Sequence, residues 1–162
     1  MRIWVSVFCV TLTPTNIVPL VVPLFSRLGA VRRLLFRTVS QTQVNYRDSS
    51  LSVGRAGRVQ GGDRLPWVEL EAGGDNFAPL TSLKWQVHLY GEAEPRVSEA
   101  CAELGVRLHT FAWRPGMRRA GLENAALYLV RPDGYVALAD PRADPAMLRQ
   151  YFADRGWKLV GT

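Results

Sequence analysis

The sequence is poor in the residues that usually build a catalytic or metal centre. Its 162 residues contain two cysteines, Cys9 and Cys101, and two histidines, His88 and His109. The cysteines stand far apart and form no CxxC pair, which excludes a disulfide scaffold and a zinc ribbon. The same cysteine usage fits a reducing compartment, so we expect a cytoplasmic protein. No G-x-G-x-x-G, G-x-x-x-x-G-K-[ST] or H-E-x-x-H motif occurs, so the chain itself carries no recognisable nucleotide or zinc-protease signature.

Long uninterrupted hydrophobic runs are also missing. Residues 1–25 are apolar, but prolines at positions 14, 19 and 23 interrupt them, and a membrane helix needs about 20 continuous apolar residues. No small-x-small cleavage site follows the first apolar stretch, which argues against a signal peptide but leaves it as an alternative. We expect an apolar segment that packs against protein, with no membrane partner.

Positive charge is abundant but confined to one end of the chain. Residues 1–58 hold eight arginines against one acidic residue, whereas residues 59–162 hold twelve basic and thirteen acidic residues. A nucleic-acid-binding domain concentrates basic residues on a folded face. The main body here is nearly neutral, so we expect no nucleic-acid partner.

Hydrophobic spacing divides the chain into three parts. Residues 1–53 form an apolar, arginine-rich extension in which residues 24–43 have the periodicity of an amphipathic helix, followed by an extended exit over residues 43–53. Residues 54–79 are a linker and edge segment, with a glycine-rich loop at 54–64 and a short edge strand at 65–70. Residues 80–162 form the compact domain.

The compact domain reads as alternating strands and helices. We predict strands at residues 84–90, 106–113, 125–130 and 135–139, helices at 95–104 and 144–155, and an arginine- and glycine-rich loop at 114–124. The strand–helix–strand unit implies a parallel pair, and the Pro-Asp-Gly turn at residues 132–134 implies a hairpin. This order predicts an α/β thioredoxin-like sandwich with a mixed sheet of about four or five strands and flanking helices.

The thioredoxin order draws attention to the start of the first helix, where redox enzymes place a cysteine. Residues 91–96 contain no cysteine, and Glu92 and Glu94 would disfavour a thiolate there. Cys101 falls inside the helix, where we expect an unreactive buried thiol. His88 and His109 fall on strands without a carboxylate or cysteine at ligand spacing, so we expect structural roles. The sequence predicts no catalytic, cofactor-binding or metal-binding residue.

Several motifs together resemble one known family. They are RRLLFR at residues 32–37 with SQ at 40–41, YRDSSL at 46–51, GDRLP at 62–66, and LVRPDGYV at 129–136. In this order and spacing they are similar to the C-terminal region of FAD-dependent aromatic-ring hydroxylases, the flavoprotein monooxygenases, over residues 24–158. In that family, the last motif forms the hairpin of a thioredoxin-like tail domain.

The resemblance implies a domain without its catalytic partner. The family's flavin motifs lie upstream and have no counterpart here, so FAD and NAD(P)H are implied for a full enzyme and no cofactor for this chain alone. The implied partner is a flavin domain, in cis or in trans, and a homodimer is a further option. The residues expected to contact the flavin domain are Arg32, Arg33, Arg37, Tyr46, Arg47 and Asp48. The alternative is a stand-alone thioredoxin-like binding module without redox activity.

Overall fold

The chain divides into two units, Met1–Gln43 and Val44–Thr162. A computed structural model describes residues 45–70 and 73–157, all of which belong to the second unit. The predictions on residues 1–44, including the amphipathic helix and Arg32, Arg33 and Arg37, therefore lie outside the described residues.

A mixed sheet forms the centre of the second unit. Its strands are β1 (Val53–Ala56), β2 (Val59–Gln60), β3 (Gln86–Tyr90), β4 (Arg107–Phe111), β5 (Ala126–Val130) and β6 (Val136–Asp140), in the order β2-β1-β6-β5-β3-β4. β3 pairs with β4 in parallel, β5 is antiparallel to both β3 and β6, and β1 is parallel to β6. The strands β4-β3-β5-β6 confirm the thioredoxin-like α/β fold.

The sheet has six strands where about four or five were expected. The two additional strands come from the glycine-rich residues expected to form a linker or long loop. β1 and β2 make a tight antiparallel pair, with Ala56 opposite Val59, and both of these side chains are buried. The glycine-rich residues therefore form a turn between two short strands, and residues 54–56 and 59–60 of the predicted linker belong to the sheet.

Within residues 45–70 and 73–157, three α-helices accompany the sheet: α1 (Pro95–Leu104), α2 (Pro115–Ala120) and α3 (Pro145–Ala153), together with a 3-10 helix at Ala78–Ser82. Each α-helix starts with proline, whose fixed φ and missing N–H suit a first helical turn. α1 and α3 match their predictions. α2 corrects the prediction of a loop over residues 114–124, since Pro115 begins it and Gly121, with φ +103°, ends it.

The expected edge strand at residues 65–70 is also wrong. In the structure, the backbone there makes no ladder but one isolated bridge, from Glu69 to Asp75. Two of its main-chain groups are instead satisfied by a side chain, because the buried Asn76 accepts a hydrogen bond from Val68 N and donates one to Pro66 O. An irregular segment of this kind gives no periodic sequence signal.

The sheet is covered differently on its two faces. The face we call the helix face packs against α1 and α3 with apolar side chains, among them Val87, Leu89, Leu127, Leu129, Leu148 and Phe152. The opposite face, which we call the loop face, contributes Tyr90, Tyr128 and Val130. It packs against Met117 of α2 and against residues of 65–70 and 73–80, among them Leu65 and Val68. All five residues of β3 are buried, because both faces are covered.

The turn between β5 and β6 confirms the predicted hairpin. Arg131 N donates to Tyr135 O over 2.8 Å, and Gly134 N donates to Arg131 O over 2.9 Å. Gly134 adopts φ +82°, a conformation that glycine takes without steric cost.

Candidate functional site

Three of the segments that carry the family resemblance meet in space. Residues 46–51, 62–66 and 131–136 form a cluster that we call the motif junction. Tyr46 N donates to Gly62 O over 2.8 Å, and Gly62 N donates to Val136 O. Val136 N in turn donates to Asp63 O over 2.8 Å. Backbone hydrogen bonds thus join segments that lie far apart in sequence.

Gly62 is required at the centre of this junction. Its φ is +90°, and an added Cβ would lie 2.3 Å from the carbonyl carbon of Tyr46. No other residue type fits such a contact without moving the backbone. The glycine of the GDRLP motif is therefore explained by close approach of two chain segments and not by a ligand.

Arg47 and Asp63 form an ion pair across the junction. Arg47 Nε lies 2.7 Å from Asp63 Oδ1, and Arg47 Nη2 lies 3.1 Å from Asp63 Oδ2. Asp63 Oδ2 also accepts a hydrogen bond from Gln60 N over 2.9 Å. The hydrogen bond to Asp63 and its negative charge raise the pKa of Arg47. A bidentate pair at the surface fixes geometry more than it adds stability.

Tyr46 and Asp48 face outward from the same turn. The Tyr46 ring meets the Tyr135 ring edge-on, with centroids 4.9 Å apart, and the Arg131 guanidinium lies 5.7 Å from the Tyr46 centroid. Tyr46 nevertheless remains 45% exposed. Asp48 is exposed, and its carboxylate makes no hydrogen bond to any described residue. The structure thus leaves these two side chains accessible, whereas Arg47 already has an internal partner; a role for all three at a flavin-domain contact remains a prediction.

A second set of contacts ties the same turn to α3. Tyr151 Oη donates to Leu51 O over 2.8 Å, and Arg155 donates to Ser50 O. The Arg155 guanidinium also stacks 3.7 Å from the Tyr151 ring centroid. Sequence reasoning assigned no role to Asp63, Arg131, Tyr135, Tyr151 or Arg155. Asp63, Arg131 and Tyr135 lie within the GDRLP and LVRPDGYV motifs, whereas nothing in the sequence indicated the contact of Tyr151 and Arg155 with residues 50–51.

The thioredoxin-type position lies at the start of α1, beside a shallow pocket lined by Gly91, Glu92, Thr110, Trp113 and Asn124. Glu92 and Glu94 bring negative charge to this end, and Pro95 at the first helical position lacks an N–H. This arrangement does not fit the pyrophosphate of a dinucleotide such as FAD. Cys101 is buried in α1, and burial raises the pKa of its thiol to about 11, as expected for an unreactive cysteine.

The two histidines sit side by side on β3 and β4. Their ring centroids are 5.7 Å apart. Burial lowers the pKa of His88 to about 3, with a smaller contribution from the charge of His109. Burial likewise lowers the pKa of His109, assisted by Arg107. Both imidazoles are therefore neutral at pH 7, which agrees with the structural role expected for His88 at the centre of the sheet.

The described residues hold neither a candidate metal centre nor a helix that could span a membrane. Residues 45–70 and 73–157 contain no group of three or more His, Cys, Asp or Glu side chains that could hold a metal ion. Within the same ranges, every helix is too short or too polar to cross a membrane.

Comparison with known proteins identifies the fold's family. The family model described as "Aromatic-ring hydroxylase, C-terminal" matches residues 59–154, more than half of the chain. The chain belongs to this family. The match covers β2 to α3 and includes the GDRLP and LVRPDGYV motifs. No curated protein sequence matches the chain.

Solved structures agree with the family assignment. The rebeccamycin biosynthetic enzyme RebC in its substrate-free form is 26% identical over 85% of this chain and 27% of its own, with a TM-score of 0.52. CabE, an aromatic hydroxylase from angucycline biosynthesis, is 25% identical over 83% of this chain and 27% of its own, with a TM-score of 0.53. OxyS, the anhydrotetracycline hydroxylase from Streptomyces rimosus, is 20% identical over 90% of this chain and 29% of its own, with a TM-score of 0.52, and supports the fold alone. This chain thus spans less than a third of the length of these proteins.

Proposed function

We propose that this chain is the thioredoxin-like C-terminal domain of an FAD-dependent aromatic-ring monooxygenase and has no catalytic activity of its own. It packs on a flavin domain or takes part in subunit association. The observation that carries the proposal is the motif junction, in which backbone hydrogen bonds join three of the motifs at the entry of the chain into this domain. A domain that must be held in a fixed orientation needs such an entry.

The positions of the acidic residues and of the described cysteine agree with a non-catalytic role for this domain. The end of the sheet that is reactive in thioredoxin-type enzymes carries Glu92 and Glu94, and the described cysteine is buried. FAD and NAD(P)H would be bound by the remainder of the enzyme. Among the relatives, the rebeccamycin enzyme has been solved with reduced flavin. We further propose that the protein is cytoplasmic and that its partner is a flavin domain, in cis or in trans.

The size of the native product tests this proposal first. An antibody raised against residues 80–162 is used to detect the protein in its source cells. A band several times larger than 18.1 kDa supports a flavin domain in cis, and an 18.1 kDa band that co-purifies with a flavoprotein supports one in trans. A short product that co-purifies with no flavoprotein contradicts the proposal.

Substitution at the junction then tests the docking role. In the assembly so identified, Asp48→Ala is expected to weaken association with the flavin domain about tenfold, the effect of losing one charge-assisted hydrogen bond. The fold should be unaffected, because Asp48 makes no hydrogen bond within the described residues. Binding is measured by titration calorimetry with the flavin domain produced separately. Glu103→Ala is the matched control, since Glu103 pairs with Arg149 on the exposed side of α1 and α3. Equal affinity of the Asp48 variant, the control and the wild-type chain would show that this turn does not dock.

A further inference from the structure

A concave pocket lies between the segment 67–69 and helix α2. It is open to solvent, and its volume is about 690 Å³. The lining residues are Trp67, Val68, Glu69, Arg114, Pro115, Gly116, Met117, Arg119 and Ala120. We call it the tryptophan pocket. It is separate from both the motif junction and the pocket beside α1.

One wall is a rigid, exposed indole. Trp67 is 55% exposed, although tryptophan is usually buried to a greater extent. Its Nε1 donates to Asp75 Oδ2 over 3.1 Å, and this hydrogen bond, with one from Phe77 N, lowers the pKa of Asp75. The indole N–H is therefore bonded to Asp75 while about half of the residue's surface remains exposed.

The backbone behind the indole is fixed from the core. Asn76 is fully buried, accepts from Val68 N over 2.8 Å, and donates to Pro66 O over 2.8 Å. It also hydrogen-bonds the buried hydroxyl of Tyr90 over 2.7 Å. An exposed aromatic side chain on a fixed backbone loses little conformational entropy when a ligand stacks on it.

Gly116 on α2 keeps the opposite wall open. A Cβ added there would meet only Arg119 Nη2, at 3.9 Å, and no positive φ requires glycine at this position. A side chain at residue 116 would therefore be compatible with the helix. Met117, which is 1% exposed, and Val68 supply the apolar floor.

The charge of the pocket favours an anion. The described lining residues include the cations Arg114 and Arg119 and the anion Glu69. Arg119 donates no side-chain hydrogen bond within the described part of the chain, and Arg58 donates to its carbonyl oxygen, which brings a further cation to this surface. A planar guanidinium presents paired donors that match the two oxygens of a carboxylate.

From this geometry we infer that the tryptophan pocket binds a planar aromatic carboxylate. The aromatic ring stacks on Trp67 above the apolar floor, and the carboxylate pairs with Arg119. This inference does not depend on the proposed function, because the pocket is built entirely from described residues of this domain.

The test uses the full chain and 2-naphthoate as the probe, with binding measured by titration calorimetry in 150 mM salt. We expect a dissociation constant below about 1 mM. Arg119→Gln and Trp67→Leu should each weaken binding about tenfold, since each removes one of the two recognition elements. The neutral analogue 2-naphthamide should bind the wild-type chain about tenfold more weakly than 2-naphthoate, because it lacks the charge.

Two further variants separate a specific site from general attraction. Gly116→Leu should fill the pocket and abolish binding while the helix is retained, because leucine is a better helix former than glycine. Glu69→Gln should tighten binding, because it removes the negative charge in the pocket. Arg118→Gln is the matched control, since Arg118 lies on the same helix but does not line the pocket.

The thermal midpoint of each variant establishes that it is folded. Binding that is equally strong in the wild-type chain and in the Arg119, Trp67 and Gly116 variants would overturn the inference. No binding of 2-naphthoate at millimolar concentration would overturn it as well. Loss in these three variants together with normal binding by Arg118→Gln supports it.

Discussion

The two faces of the sheet bury similar numbers of side chains but use different chemistry. The helix face is apolar, with Val87, Leu89 and Leu129 fully buried beneath α1 and α3. On β3 the alternate residues Gln86, His88 and Tyr90 point to the loop face and are equally buried. Regular helices satisfy their own backbone groups, whereas an irregular segment does not, so the loop face must supply polar partners.

Tyrosine and asparagine side chains provide much of this pairing. Tyr128 Oη donates to Ala56 O over 3.1 Å and accepts from Glu123 N over 3.0 Å. Tyr90 Oη bonds to Asn76, which in turn holds the backbone of residues 66–68. Burial raises the pKa of Tyr128 to about 12 and also raises that of Tyr90, so both hydroxyls keep their protons. The comparison shows that polar residues on a buried strand can stabilise loops through hydrogen bonds.

Not every polar group on the loop face is used in this way. Gln86 Nε2, Gln86 Oε1 and His88 Nε2 are buried without a hydrogen-bond partner among the residues that the structure describes. A buried polar group without a partner costs free energy. The loop face therefore combines stabilising hydrogen-bonded side chains with destabilising unpaired groups. The helix face is mainly apolar, although Tyr151 Oη donates to Leu51 O there.

The largest effect is expected from breaking the helix face. Leu129→Ala should lower the free energy of unfolding by about 2–5 kcal/mol, because Leu129 is fully buried and the substitution leaves a cavity. Urea denaturation measures the loss. The control is Leu83→Ala, which should change stability by less than about 0.5 kcal/mol because Leu83 is 72% exposed. A loss at Leu129 no larger than that of the control would mean that this face does not carry the core.

The second prediction concerns the pH dependence of stability, which His88 on the loop face should cause. The pKa of His88 falls from 6.5 to about 3 on burial. Between these values the unfolded chain binds the proton and the folded chain does not. Stability is therefore lost as pH falls through this window, by up to about 1.4 kcal/mol per pH unit.

Replacing the imidazole should remove this pH dependence. His88→Leu should flatten the profile of unfolding free energy between pH 6.5 and 3, compared with the wild-type chain under the same conditions. His109→Leu is the comparison variant and should retain most of the slope, since the pKa of His109 is lowered to a lesser extent by partial burial. Identical slopes for the wild-type chain and His88→Leu would rule out His88 as the source.

The smallest effect has the opposite sign. Gln86→Leu should raise the free energy of unfolding by about 1 kcal/mol, because it removes two unpaired buried polar atoms and retains the side-chain volume. The matched change Asn76→Leu should instead be destabilising, because Asn76 makes hydrogen bonds to Val68, Pro66 and Tyr90. If Gln86→Leu were as destabilising as Asn76→Leu, Gln86 would have to have a partner in solution.

The parts of the fold that follow a period could be predicted from the sequence. Apolar residues at every second position identified β3, and proline and glycine at the two ends identified α1. The same end signals are present around α2, but six residues are too few for hydrophobic spacing to support them. β1 and β2 were missed for a similar reason, since four- and two-residue strands separated by glycine show no alternation.

Only part of the motif junction could be predicted from the sequence. The YRDSSL motif grouped Tyr46, Arg47 and Asp48 as expected flavin-domain contacts on a segment predicted to be extended. The structure instead folds them into a turn, in which Arg47 pairs with Asp63 and Asp48 is exposed. Long-range pairs such as Tyr46 with Tyr135 or Tyr151 with Leu51 depend on how the chain returns to the sheet. No local pattern encodes that return.

The sequence by itself determined the thioredoxin-like order of strands and helices, the hairpin at residues 131–135 and the lack of a reactive cysteine at the start of α1. These features depend on hydrophobic period, turn chemistry and residue identity, which are local properties. Only the tertiary structure decided that glycine-rich residues extend the sheet, that three motifs form one junction, and that Trp67 and Arg119 share a pocket. These features arise because burial and backbone pairing bring together residues that are distant along the chain.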